Sequence, residues 1–179
     1  LYWLCASLLM FFQIKLEEKN LEFRMDIDPT LPRSLLLDEV RLRQILINLV
    51  GNAVKFTDTG FVRVAVHSEE SERAESDVRL VFEVEDSGVG IREDQLQKIF
   101  EAFHQQSGQS IRRHGGTGLG LNITRRLVEM MDGDITVHSV AGSGSLFRVM
   151  LPNILIGSLE PEVSISRDLK NIVFSESMV

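Results

Sequence analysis

The chain has 179 residues, 44% of them hydrophobic, which is enough to bury the core of one ordinary domain and excludes wholesale disorder. Its 26 acidic against 19 basic side chains give a net charge of −7, excluding a general nucleic-acid binder with a basic surface. A lone Cys5 and four scattered histidines exclude an internal disulfide and give no zinc-ligand spacing, which fits the reducing cytoplasm.

Leu1 to Phe12 is almost wholly apolar. A dozen residues fall short of the roughly 20 that a bilayer-spanning helix needs, and no basic leader or small-residue cleavage site flanks them. A buried or partner-facing helix from Leu4 to Lys19 is therefore expected. Residues 21–28 alternate apolar and polar side chains, the period of a half-buried strand, and Pro29 and Pro32 mark a loop. Asp38 is a good N-cap for a helix with Val40, Ile45, Leu49 and Val50 on one stripe, running to about Lys55. A turn over 57–60 leads to a strand over 61–66. Residues 68–77 read as a solvated hairpin loop, and a strand over 78–85 delivers Asp86. A short helix is expected over 92–99, then a polar segment over 104–114, then a helix over 117–131 ended by Asp132-Gly133. Strands over 135–140 and 145–151 flank a glycine turn, and beyond Pro152 the pattern fades into a polar tail with one apolar patch at 172–174. No internal repeat is present. The sum is an α+β fold, a two-layer α/β sandwich with one mixed sheet of about five strands and three main helices on one face. It divides into a leading apolar helix (1–14), a core domain (15–152) and a tail (153–179).

Three constellations carry chemistry. Asn48 and Asn52 lie one helical turn apart, so they share a face. Their amide oxygens suit the shell of a magnesium ion that otherwise holds waters and phosphate oxygens, and Lys55 can reach a phosphate as a point charge. Taken alone, the pair fits an ordinary amphipathic helix with two exposed amides better. Asp86, closing an apolar strand before Ser87-Gly88-Val89-Gly90, can accept a hydrogen bond from an exocyclic amine such as that of adenine; a plain Asp-Gly turn explains it equally. The run Gly115-Gly-Thr-Gly-Leu-Gly-Leu121 enters a helix and can present backbone N–H groups to phosphate, although such runs often serve only as turns and caps. It has neither P-loop nor dinucleotide-site spacing. The polar stretch before it, with Arg112 and Arg113, suits a lid over a phosphate tail.

Together these segments resemble the sensor histidine kinases. Residues 41–57 resemble the N box, 86–91 the G1 box, 99–103 the F box, 116–121 the G2 box and 142–145 the last glycine turn, in the family's order over roughly residues 15–152. The wider group is the Bergerat ATP-binding fold. The resemblance implies that ATP and Mg²⁺ are bound, with Asn52 holding the metal and Asn48 beside it. Lys55 would touch phosphate and Asp86 the adenine amine. Gly88 and Gly90 would floor the base pocket beside Ile91, and Phe100 and Phe103 would anchor the lid that carries Arg113. Gly116, Thr117, Gly118, Leu119, Gly120 and Leu121 would line the phosphates.

Hydrolytic members of the group carry a Glu four residues before the metal-binding Asn, as a base for water. Here that place is Asn48, which cannot take a proton, so transfer to another acceptor is expected rather than ATP hydrolysis. None of the four histidines has the family's acceptor context. The implied partners are ATP or ADP, a dimerising hairpin that bears the phosphoacceptor His, and a receiver domain of a response regulator, to which the acidic tail from Glu160 resembles a linker. Nucleic acid is not an expected partner, and the domain alone is expected to be monomeric or weakly associating. The rival expectations are an ATP-hydrolysing relative and a non-catalytic interaction module.

Overall fold

The computed structural model describes residues 2–70, 77–102 and 118–157. In chain order they form α1 (Tyr2–Glu18), β1 (Glu22–Ile27), β2 (Leu35–Leu36), α2 (Glu39–Phe56), β3 (Phe61–Glu70), β4 (Asp77–Asp86), α3 (Glu93–Leu96), α4 (Gly120–Glu129), β5 (Asp134–Val140) and β6 (Gly144–Ile156). The sheet runs β1-β3-β4-β6, with β5 and the short β2 both pairing with β6. Only β1 and β3 are parallel. The expected two-layer α+β sandwich with a mixed sheet is the observed architecture.

The helical layer is built around α2. Leu42, Ile45, Leu46, Leu49, Val50, Ala53 and Val54 form its buried face, at the 3-and-4 spacing of an amphipathic helix. Asp38 caps it by accepting the Arg41 N–H at 3.0 Å. Helices α1 and α4 pack on α2, which also rests on β3 and β4. From α1 come Leu4, Cys5, Leu8, Phe12 and Leu16, while Trp3, Met10, Phe11 and Ile14 point outward, so the helix is apolar on both sides. Cys5 is fully buried and burial raises its thiol pKa, so it acts as packing. No helix among the described residues is long and apolar enough to cross a membrane.

The other sheet face is polar and ion-paired. Arg63 of β3 bonds Asp26 of β1 at 2.6 Å and Glu85 of β4 at 3.3 Å, and Glu69 of β3 meets Arg79 of β4 and Arg148 of β6. These charges straddle neighbouring strands and shield the sheet, each pair contributing well under about 1 kcal/mol at such exposure. They also correct one boundary: β3 runs on through 68–70, expected as loop, and β4 begins at Asp77, with Glu69 paired across the wet face of the sheet.

Other expectations shift as well. The sheet has six strands, not about five, since two-residue β2 is added at Leu35↔Ile156. β6 passes through Pro152 instead of ending there: the pairing shifts between Val78 and Leu80, and Asn153 takes φ 55, so the proline sits at a bulge where no ladder donor is needed. Helix α3 covers only Glu93–Leu96 of the expected 92–99, continuing as turns, and α4 begins at Gly120.

Candidate nucleotide site

The buried face of α2 fixes which residues remain on its other side. Asn48 and Asn52 emerge there, partly buried, with Lys55 at the last turn. Asn48 is already engaged: its Nδ2 donates to Thr124 Oγ1 of α4 at 2.6 Å. Thr124 is only 1% exposed, so this bond lies at the seam between α2 and α4. Gly120 opens α4 against the same carboxamide, where a methyl group would collide with it. The G2 run and the N box are thus in contact through Asn48 and Gly120. The Asn52 side chain makes no hydrogen bond among the described residues. Lys55 lies over the Phe56 ring, 4.7 Å from its centroid, and partial burial lowers its ammonium pKa.

Asp86 ends β4 beneath this helix end and is 7% exposed. Its Oδ1 accepts the Gly88 N–H at 2.9 Å, and Ser145 donates to the carboxylate from both backbone and hydroxyl. Burial raises the carboxyl pKa, while these bonds and the charge on Glu85 act as smaller effects in opposed directions. The following loop is tied on two sides. Val89 N–H bonds the Phe56 carbonyl of α2 at 3.3 Å, and Gly142 N–H bonds the Val89 carbonyl at 2.8 Å. Ile91 N–H bonds Ser139 Oγ at 2.8 Å; that hydroxyl also reaches the Gly144 carbonyl at 2.7 Å and Ser145 Oγ at 3.1 Å. Gly90 adopts φ 64 against the Val140 carbonyl, a left-handed conformation and an approach that no side chain permits. Asp86 therefore sits in a set of bonded loops rather than on a free turn.

The F-box segment joins the same seam. Phe100 packs against the core, its carbonyl accepts Asn122 Nδ2 of α4 at 2.9 Å, and the Arg125 guanidinium lies 5.8 Å from its ring centroid. Asn122 thus fastens the start of α4 to the residue from which the expected lid departs. Ile91 and Leu121 pack against the core, Gly118 takes φ 70 before the helix, and the Leu119 carbonyl accepts the Ile123 N–H of the first turn. Phe103, Arg113, Gly116 and Thr117 lie outside the described residues. So do the hairpin tip at 71–76 and the tail from 158.

Of the expected site residues, Asn48, Asn52, Lys55, Asp86, Gly88, Gly90, Ile91, Gly118, Leu119, Gly120 and Leu121 fall in one region spanning the ends of α2, β4 and α4. Ser145 belongs with them although the sequence offered it only as part of a glycine turn; Ser139 and Thr124 had no sequence signal beyond their polarity, and Asn122 stood out only as replacing the small residue commoner there in the resembling family. Among the described residues no group of three His, Cys, Asp or Glu side chains is arranged to hold a metal. A cation here would have to be held mainly by its ligand's oxygens with an amide oxygen such as that of Asn52.

Residues 37–154 match the family model of the histidine kinase-, DNA gyrase B- and HSP90-like ATPases. The peroxide stress-activated histidine kinase mak2 of Schizosaccharomyces pombe is 43% identical over 143 residues, covering 78% of this chain and 6% of that protein. The curated relatives that match first are all far longer, and the chain spans between 6% and 16% of their length. Among solved structures, full-length ShkA in complex with AMPPNP superposes with a TM-score of 0.73 at 34% identity, over 87% of this chain and 30% of that one. The nucleotide-free catalytic domain of the histidine kinase ThkA gives 0.64 at 28% identity, over 85% of this chain and 93% of that domain. With the family model and the relatives in agreement, the chain belongs to the histidine kinase-, DNA gyrase B- and HSP90-like ATPase family, with the Bergerat fold of the histidine kinase catalytic domains.

Proposed function

We propose that the domain binds Mg-ATP and presents its γ-phosphate to a His on a dimerising helical hairpin, from which a receiver domain of a response regulator is served. The observation that carries this reading is Asp86: a buried carboxylate at a strand end, oriented by Gly88 and Ser145, beside the end of a helix that bears Asn52 and Lys55. In this reading Asp86 accepts the adenine amine, with Gly88, Gly90 and Ile91 shaping the floor beneath the base. Asn52 contributes its amide oxygen to Mg²⁺, with Asn48 beside it, locked to Thr124 and so holding α4 in register with α2. Lys55 contacts phosphate; its partial desolvation strengthens that contact. Gly118, Leu119, Gly120 and Leu121 offer the first turn of α4, whose N–H groups have no side-chain cap and suit phosphate oxygens. Phe103, Arg113, Gly116 and Thr117 enter this reading from the sequence resemblance alone.

The bound magnesium would neutralise phosphate charge, and the chain's own residues would do the rest by positioning. In the transfer the bond between the γ-phosphorus and its bridging oxygen breaks, ADP leaves with the electron pair, and a P–N bond to the imidazole forms. Hydrolysis by the same site is disfavoured by Asn48, which offers no base for water and spends its amide on Thr124. The test is incubation with γ-labelled ATP and a separately made dimerising hairpin. Acid-labile phosphate on the hairpin is the expected outcome, while rapid release of free phosphate with an unlabelled hairpin would overturn it.

A further inference from the structure

Lys19, one residue past α1, reaches across to the far end of α2. Its Nζ donates to three main-chain carbonyls there: Val54 at 2.9 Å, Lys55 at 3.0 Å and Thr57 at 2.9 Å. Among the described residues, the Asp58 carboxylate is its ion-pair partner, at 3.6 Å. The last carbonyls of an α-helix have no partners within the helix, and negative partial charge accumulates on them. An ammonium carries three donors, so one side chain satisfies three acceptors and opposes the helix dipole at once. The way α1 ends sets this reach. Asn20 takes φ 52, its N–H bonds the Glu17 carbonyl at 3.0 Å, and Leu21 N–H bonds the Leu16 carbonyl at 2.9 Å, a left-handed stop that fixes the direction of the chain at Lys19.

What Lys19 clamps is the turn on which the nucleotide site depends. That turn carries Lys55, and its Phe56 carbonyl accepts the Val89 N–H of the loop after Asp86. We propose that Lys19 is a positioning residue of the nucleotide site: by pinning the last turn of α2 it sets Lys55 and, through the Phe56 carbonyl, the loop from Asp86 to Val89. It touches no ligand itself. The proposal rests on the nucleotide-site reading above and adds a residue from outside every glycine or asparagine motif of the chain. It also makes the end of α1 a structural input to that site.

The test compares Lys19→Met and Lys19→Arg with Leu8→Ala, which loosens the buried face of α1 and leaves the end of α2 intact. Mg-ATP affinity is read by calorimetry and backbone protection by amide hydrogen exchange. Lys19→Met is expected to weaken Mg-ATP binding about tenfold, the range of coupling between residues in one network. It should also speed exchange at the Thr57 and Val89 amides ahead of the rest of the sheet. Lys19→Arg should recover most of both. Leu8→Ala should lower the melting temperature while keeping affinity within about twofold, as expected for a distant packing change. If Lys19→Met does not fold, Lys19→Gln, with two donors and no charge, carries the same comparison. Unchanged affinity in the Lys19 variants, or an equal loss in Leu8→Ala, would overturn the proposal while leaving the site assignment standing. Failure of the unmutated chain to bind Mg-ATP would overturn both.

Discussion

The two ends of the candidate site are built differently. Around Asp86, donors and acceptors meet within the protein: Gly88 and Ser145 hold the carboxylate, Val89 is tied to Phe56 and Gly142, and Ile91 is tied to Ser139. Around Asn52 and Lys55 the side chains rest on a helix surface, with a single ring contact for Lys55 and no hydrogen bond to the Asn52 side chain among the described residues. A bonded, buried end selects by shape and hydrogen-bond pattern, because an ill-fitting ligand leaves desolvated groups unpaired. An end of loose, hard donors selects by charge and tolerates variation in what it holds. In the proposed reading, base recognition falls to the rigid end and metal and phosphate binding to the adaptable one.

That division can be broken by mutation. The largest expected effect is from Asp86→Ala, which removes a charged acceptor from the rigid end: affinity for every adenine nucleotide should fall by about a hundredfold, near 3 kcal/mol. Asn52→Ala should remove most of the Mg-ATP affinity but leave binding of adenosine nearly unchanged. Equal losses for adenosine in the two variants, measured by calorimetry, would erase the distinction between the ends. Next comes Gly120→Ala. Alanine favours helices, but here its methyl group meets the Asn48 carboxamide, and crowding should win by about 1–3 kcal/mol in a denaturant titration. Asn122→Ala, which frees the Phe100 carbonyl, should cost about 1 kcal/mol and speed hydrogen exchange around 99–102 without altering adenosine binding.

A pH series sharpens the rigid end further. Burial lifts the Asp86 pKa, so the native state holds that proton more tightly than the unfolded chain does. The resulting stabilisation is complete below the ordinary aspartate range and is lost as pH rises through the elevated native value. Asp86→Asn is therefore expected to match or exceed the unmutated chain in melting temperature at pH 7. That advantage should disappear on acidification below the ordinary range, and nucleotide affinity should be poor throughout. A variant less stable at pH 7 than at pH 4, relative to the unmutated chain, would reverse the sign and contradict the burial argument.

Much of the site was legible in the sequence because its chemistry sits at element ends, where polar residues and glycines interrupt apolar periodicity. Asp86 closes a strand, Asn48 and Asn52 stand off the apolar stripe of α2, and Gly118 precedes the helix that Gly120 opens. The partners of these residues were not legible. Thr124 is 76 residues from Asn48 and reads as an ordinary helical threonine, while Ser139 and Lys19 act through bonds that no local pattern encodes. In the fold, the helix faces and most strands followed their periodicities. Residues 68–70 read as loop because they are polar in sequence, whereas Glu69 pairs with Arg79 and Arg148 across a wet sheet face. Pro152 read as a stop because a strand proline is tolerated only where the ladder is already broken.

The central claim is that Asp86 reads the exocyclic amine of adenine, and the most direct measurement is the relative affinity of the unmutated chain for ATP and for ITP, which carries a carbonyl oxygen in place of that amine. The account predicts that ATP binds at least about thirtyfold more tightly, since ITP sets an acceptor against a buried carboxylate, and that Asp86→Asn narrows the gap. Equal affinity for the two nucleotides in the unmutated chain would contradict it.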